Sequence, residues 1–194
     1  MTPSRFFRSA RDLFAETLVP MGFSCERSNA CTFYRLAGEG LWHIIMPDLG
    51  TRGAWYDVKV FPCFDRLQAR FHDRFPDELG IPTDSFCYLS ERSVGLDQAL
   101  FPCSTESHLR SCYVRTVSGL LGRVAVPYLS QFQTLGDVLP VIRNPLQRAI
   151  AMHLLKNDAE SRQLLTQQRD RLLAIADDED IVATRRLLES LLAS

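Results

Sequence analysis

Between Phe23 and Phe61 the chain carries three short apolar or alternating runs, Cys31 to Leu36, Leu41 to Met46 and Ala54 to Phe61. Turn residues separate them: Gly38-Glu39-Gly40 after the first, and Pro47 to Gly53, with two glycines and an aspartate, after the second. Runs of this length with period-two alternation and tight turns predict an antiparallel meander. A sheet built this way has an apolar face that something else must cover. The segment before it is suited to do so. Phe6, Ala10, Leu13, Phe14 and Thr17 recur at helical spacing, Thr2 or Ser4 can cap, Pro3 fits a first turn, and Pro20 and Gly22 stop the helix.

The rest of the chain follows a different pattern. Asp65 to Phe75 reads as a short charged helix, and Phe86 to Ser93 as a fourth strand, followed by an irregular stretch to Pro102. From Cys103 onward helical spacing dominates, first through Leu109, Cys112, Tyr113, Val117, Leu120 and Leu121. Pieces opened by Pro127, Thr134 and Pro145 follow, then helices around Leu164–Ile175 and Ile181–Leu192. The fold class expected is α+β: an antiparallel sheet of about four strands packed with an N-terminal helix, followed by a mostly helical C-terminal half. Residues 1–102 and 103–194 form its two regions, packed as one compact unit.

Register decides which residues share a face, because a one-residue slip exchanges the two faces of a strand. Tyr56, Val58 and Val60 alternate with Asp57 and Lys59. Matching the apolar set to Trp42, Ile44 and Met46 gives a continuous core side, on which the first helix is expected to pack. His43 then joins Trp55, Asp57, Lys59 and Phe61 on the second face. Aromatic residues mixed with charge are the make-up of interface hot spots, so these five are the candidate binding residues. The competing reading is that the C-terminal helices simply cover that face.

Three constellations could carry chemistry. His43 opposite Asp57 would be the second half of a triad-like relay, although no serine or cysteine is tied to it by spacing. Cys103 follows Pro102 where a helix begins, a setting that favours a thiolate, with His108 about one and a half turns on. Both are weighed against plainer roles, a solubilising pair and a small core thiol. Asp177-Asp178-Glu179-Asp180 lacks calcium-loop spacing and suits the N-terminus of the last helix. P-loop, G-x-G-x-x-G, H-E-x-x-H and G-x-S-x-G motifs are missing. No cofactor is expected, and with no C-x-x-C or paired histidines, no metal.

A formal net charge of −1 argues against a nucleic-acid partner, and Lys59 and Lys156 are the only lysines among many arginines. Arg5, Arg8 and Arg11 make a basic stripe on the first helix, read as a solvated face or as a contact for an acidic partner or phosphate. No apolar run reaches the roughly 20 residues a bilayer requires, and charges at Arg5, Arg8, Asp12 and Glu16 break any signal-peptide core. The expected location is therefore the cytoplasm, with no membrane partner and the six cysteines mostly reduced.

Val19-Pro20-Met21-Gly22-Phe23 at a helix end, then Thr32-Phe33-Tyr34-Arg35 and Tyr56-Asp57-Val58-Lys59-Val60, resemble the bacterial domain of unknown function 4304 family. Cys87 to Gly95 and Val126-Pro127-Tyr128-Leu129 are looser echoes, so the resemblance covers about residues 6–132. It implies a helix followed by strands and assigns no catalytic residue. Small bacterial families of this kind include immunity proteins that neutralise toxins. The expectation is a non-catalytic cytosolic module whose partner is another protein, a toxin or a regulatory partner. The alternative is a small hydrolase or transferase with a Cys/His site.

Overall fold

The computed structural model describes residues 1–25, 31–38, 40–50, 52–64, 87–88, 100–142, 148, 151–152, 155, 158–173 and 189. The expected segments 65–75, 177–180 and 181–192, most of 86–93 and most of the helix opened by Pro145 lie outside the described residues, in whole or nearly so. The chain divides into two units, Met1–Cys63 with Phe86–Thr134, and Phe64–Ser85 with Leu135–Ser194. The helical half is thus itself divided: residues 103–134 group with the sheet.

In the first unit, α1 (Pro3–Leu18) begins with Thr2 in an extended N-cap conformation, but the Thr2 side chain makes no capping bond. A short 3₁₀ turn, Val19–Met21, and Gly22 at φ +85° end it, a left-handed conformation that glycine adopts without steric cost. The strands are β1 (Ser24–Cys25), β2 (Phe33–Gly38), β3 (Leu41–Leu49), β4 (Trp55–Phe64), β5 (Cys87–Tyr88) and β6 (Phe101–Pro102). The order is β1-β2-β3-β4-β5, with β6 also pairing β4. β1 pairs with β2, β2 with β3, and β4 with β5 and β6, each antiparallel. This is the α+β architecture that the sequence predicts.

Two details depart from expectation. β3 runs through Pro47 to Leu49 instead of turning at Pro47. The β2–β3 ladder ends at Phe33–Ile45, so Pro47 forfeits no bond on that side. Phe101 and Pro102 also form a strand, opposite Tyr56 and Trp55, where an irregular stretch was expected.

The core lies on one face of the sheet. Phe6, Ala10, Leu13, Phe14 and Leu18 of α1 join Phe33, Ile45, Tyr56, Val58 and Val60 in a single buried cluster. Aromatic rings stitch it together: Phe6 to Tyr56 at 5.4 Å, Tyr56 to Phe101 at 5.4 Å, and Phe14 to Tyr113 at 4.9 Å between centroids. Tyr113 lies on the other cover of this face, a helical run that alternates in type. α2 (Glu106–Cys112) gives way to a π segment Tyr113–Val117, an α turn Ser118–Leu120, a second π segment Leu121–Ala125, and a last turn Val126–Leu129.

The spacing of the apolar residues explains the π segments. Leu109, Tyr113, Val117, Leu121, Ala125 and Leu129 are all buried and recur strictly every four residues. In a regular α-helix each such step overshoots a full turn by about 40°, so the stripe would wind away from the core. Wider π turns hold more residues per turn and keep the stripe on one side. The second π segment also ends next to Pro127, whose missing N–H and bulky ring disturb regular α bonding.

In the second unit, Leu135–Val138 forms a short helix that buries Leu135 and Val138, and Asp158–Leu173 forms a longer one that buries Leu165.

Candidate functional site

Burial along β3 alternates strictly from Leu41, and the buried set is Leu41, His43, Ile45 and Pro47. Trp42, Ile44 and Met46 are half-exposed on the opposite side. The face that holds Tyr56, Val58 and Val60 therefore receives Ile45 and His43, and α1 packs there. The expected register is off by one residue on β3. Leu41-Trp42-His43-Ile44-Ile45-Met46 is apolar on both faces apart from one histidine. A buried histidine is the outcome that hydrophobic matching disfavours, and here its polar groups are satisfied.

His43 is 1% exposed. Its Nε2 lies 2.8 Å from the Phe132 carbonyl oxygen, which can only accept, so Nε2–H is the donor. Nδ1 is then the bare nitrogen and accepts from Arg35 Nη2 at 3.1 Å. Arg35, directly opposite His43 in the β2–β3 ladder, also donates to the Met21 carbonyl at 3.1 Å and stacks over Phe23 at 4.7 Å. Burial, then the Arg35 charge, lower the His43 pKa, while the bond to Phe132 opposes them. The ring is a neutral clamp between the β-hairpin and the segment after the helical run. Next to it, a Cβ on Gly38 would collide with the Gln133 carbonyl, so two successive carbonyls dock on one hairpin.

Asp57 is on the other face, and the proposed His43–Asp57 relay does not form. Asp57 belongs to a patch near the β3–β4 turn, where the Gly50 N–H donates to the Trp55 carbonyl at 2.9 Å. Lys59 pairs with Asp48 across the hairpin. Among the described residues nothing hydrogen-bonds the buried Asp57 Oδ1. Burial first, then repulsion from Asp48, push the Asp57 carboxyl up to about 6 against the pull of Lys59. Trp55 is 47% exposed beside this patch, whereas Phe61, farther along the same strand, is 4% exposed. Of the five expected contact residues, Trp55, Asp57 and Lys59 share an accessible region; burial takes Phe61 and His43 out of reach. Asp48 was missed, because it lies in what the sequence presents as a turn.

Cys103 and His108 do not meet. Cys103 is fully buried, with Sγ 4.0 Å from the Gly53 carbonyl, and burial pushes its thiol up to about 11 despite the nearby N-terminal amine. His108 Nδ1 is instead hydrogen-bonded to Ser104 Oγ at 2.7 Å on the surface, an i to i+4 pairing legible in the sequence. The α2 N-terminus is capped by Thr105, whose side chain accepts the His108 N–H at 3.1 Å. Of the basic stripe on α1, Arg5 contacts Glu106 at 3.3 Å. Ser9 donates to the same carboxylate at 2.5 Å. These residues edge a cleft of about 390 Å³ lined by Ser9, Asp12, Leu13, Glu106, Ser107 and Arg110. Among the described residues no three His, Cys, Asp or Glu side chains gather as a metal site, and no helix is long and apolar enough to cross a membrane.

Comparison of the chain with family models, with curated proteins and with solved structures found no match.

Proposed function

We propose that this chain is a non-catalytic protein-binding module of the toxin-neutralising immunity type, acting in the cytoplasm, as its resemblance to the domain of unknown function 4304 family implies. The observation that carries the reading is the contrast at the β3–β4 turn. A half-exposed tryptophan, Trp55, sits beside Asp48, Asp57 and Lys59 on a sheet whose other face is closed by α1 and the helical run. An aromatic anchor with a charged surround is the pattern of an interface hot spot. The hydrolase or transferase alternative has less support. Cys103 is buried and held as the thiol, and both ring nitrogens of His43 are committed to structural partners.

The test is a quantitative binding assay with the product of the neighbouring gene as prey. Trp55→Ala and Lys59→Glu are each expected to weaken capture by about 30-fold, the scale of a hot-spot loss near 2 kcal/mol. Unchanged affinity in both folded variants would remove this face as the contact.

A further inference from the structure

Cys25 ends β1 and Cys31 lies two residues before Phe33, its ladder partner. Both meet the same core: Cys31 is part of the buried cluster and Cys25 packs against it. The two thiols are in hydrogen-bonding contact, and neither is part of a disulfide. Their surroundings differ. Cys25 is half-buried, while Cys31 is 2% exposed and burial holds it strongly as the thiol. The Arg11 charge acts on Cys31 in the direction of the thiolate and Asp12 acts against it.

We propose that Cys25 and Cys31 are a peroxide-responsive pair that closes to an intramolecular disulfide, tying β1 to the approach of β2. The accessible Cys25 thiolate attacks one oxygen of hydrogen peroxide; an S–O bond forms, the O–O bond breaks, and hydroxide leaves to become water. Cys25 is then a sulfenic acid. The Cys31 sulfur attacks it; the S–S bond forms, the S–O bond breaks, and the leaving oxygen departs with the Cys31 proton as a second water. Two thiols are oxidised by two electrons in all, and one peroxide is reduced to two waters. Cys25 is the attacking thiol because it is the reachable one, and Cys31 resolves it because it is already in contact.

The experiment treats the reduced full-length chain with stoichiometric hydrogen peroxide, counts free thiols, and maps tryptic peptides after alkylation. Cleavage after Arg11, Arg27 and Arg35 separates the two cysteines, so the disulfide leaves peptides 12–27 and 28–35 linked, two hydrogens lighter than the free pair. The expected result is a fall of two in the thiol titre, with this link as the dominant product. No loss of thiol, or links spread over Cys63, Cys87 and the other cysteines, would overturn the proposal. In Cys31→Ser the order of attack predicts a sulfenic acid on Cys25 that dimedone traps. Dimedone labelling of Cys31 in Cys25→Ser, with none of Cys25 in Cys31→Ser, would overturn that order. The native-chain measurement stands whether or not either variant folds.

Discussion

On β3 and β4, side chains facing opposite ways meet opposite treatment. His43 is fully buried, yet each ring nitrogen has a partner, and Arg35 beside it is shared among His43, the Met21 carbonyl and the Phe23 ring. Asp57, on the other face, is less buried, but among the described residues its hidden oxygen has no hydrogen bond and its carboxyl is strained toward the protonated form. On the closed face the His43–Arg35 pair is turned into structure. The other face leaves a carboxylate under-compensated beside an open tryptophan. Unsatisfied buried polar atoms cost stability; the closed face also leaves the Tyr56 hydroxyl without a hydrogen bond among the described residues, so what sets Asp57 apart is the charge that burial opposes. The two faces should therefore respond differently to substitution.

The largest effect is expected on the closed face. His43→Phe keeps the volume but leaves the Phe132 carbonyl and the Arg35 Nη2 group without the hydrogen bonds that His43 supplies, at a cost of about 2–4 kcal/mol. Urea denaturation at pH 7.5 measures it as a fall in midpoint with unchanged slope. A loss below 0.5 kcal/mol would mean that the clamp is dispensable. The pH dependence gives a second reading of the same side chain. The His43 pKa is lowered from 6.5 in the folded chain. Its contribution is thus fully present above the unfolded value and is lost as pH falls below it toward the folded value. That acid limb should vanish in His43→Phe.

Asp57 has the opposite sign. Its folded pKa is raised from 3.8 to about 6, so its contribution is full below 3.8 and is lost as pH rises through about 6. Asp57→Asn removes the charge that burial opposes. It should leave stability near its wild-type value at pH 4 and exceed wild type at pH 7.5. Discounted for partial solvent access, the gain is about 1–2 kcal/mol. Melts of both proteins across that window decide it; a variant less stable than wild type at pH 7.5 would show that Asp57 is satisfied by its surroundings.

How far these faces were legible in the sequence depends on the strand. On β4, charged and apolar residues alternate, and Tyr56, Val58 and Val60 are buried as the pattern predicts. On β3 the run is apolar on both sides, and the discriminating interactions, Arg35 and the Phe132 carbonyl, come from 8 and 89 residues away. No local pattern can anticipate a histidine satisfied at that distance. The helical run shows an intermediate case. Its four-residue spacing was visible from Leu109 to Leu121, but reading it as ordinary helix hid the π turns that the spacing requires. For the candidate site, Trp55, Asp57 and Lys59 could be named because β4 alternates. Asp48 could not, because Pro47 and Gly50 disguise the end of a strand as a turn.

The smallest stability effect should come from the most conspicuous side chain. Trp55 is 47% exposed and backs onto a strand whose inward neighbours, Ala54 and Tyr56, are fixed by other bonds and contacts. Trp55→Ala should change unfolding stability by no more than about 0.5 kcal/mol, as surface substitutions generally do. Set against the affinity loss expected of the same variant, this makes the two faces separable in one protein. A drop of 2 kcal/mol or more, the scale of a lost core side chain, would place Trp55 among the residues that build the fold and dissolve the distinction between the faces.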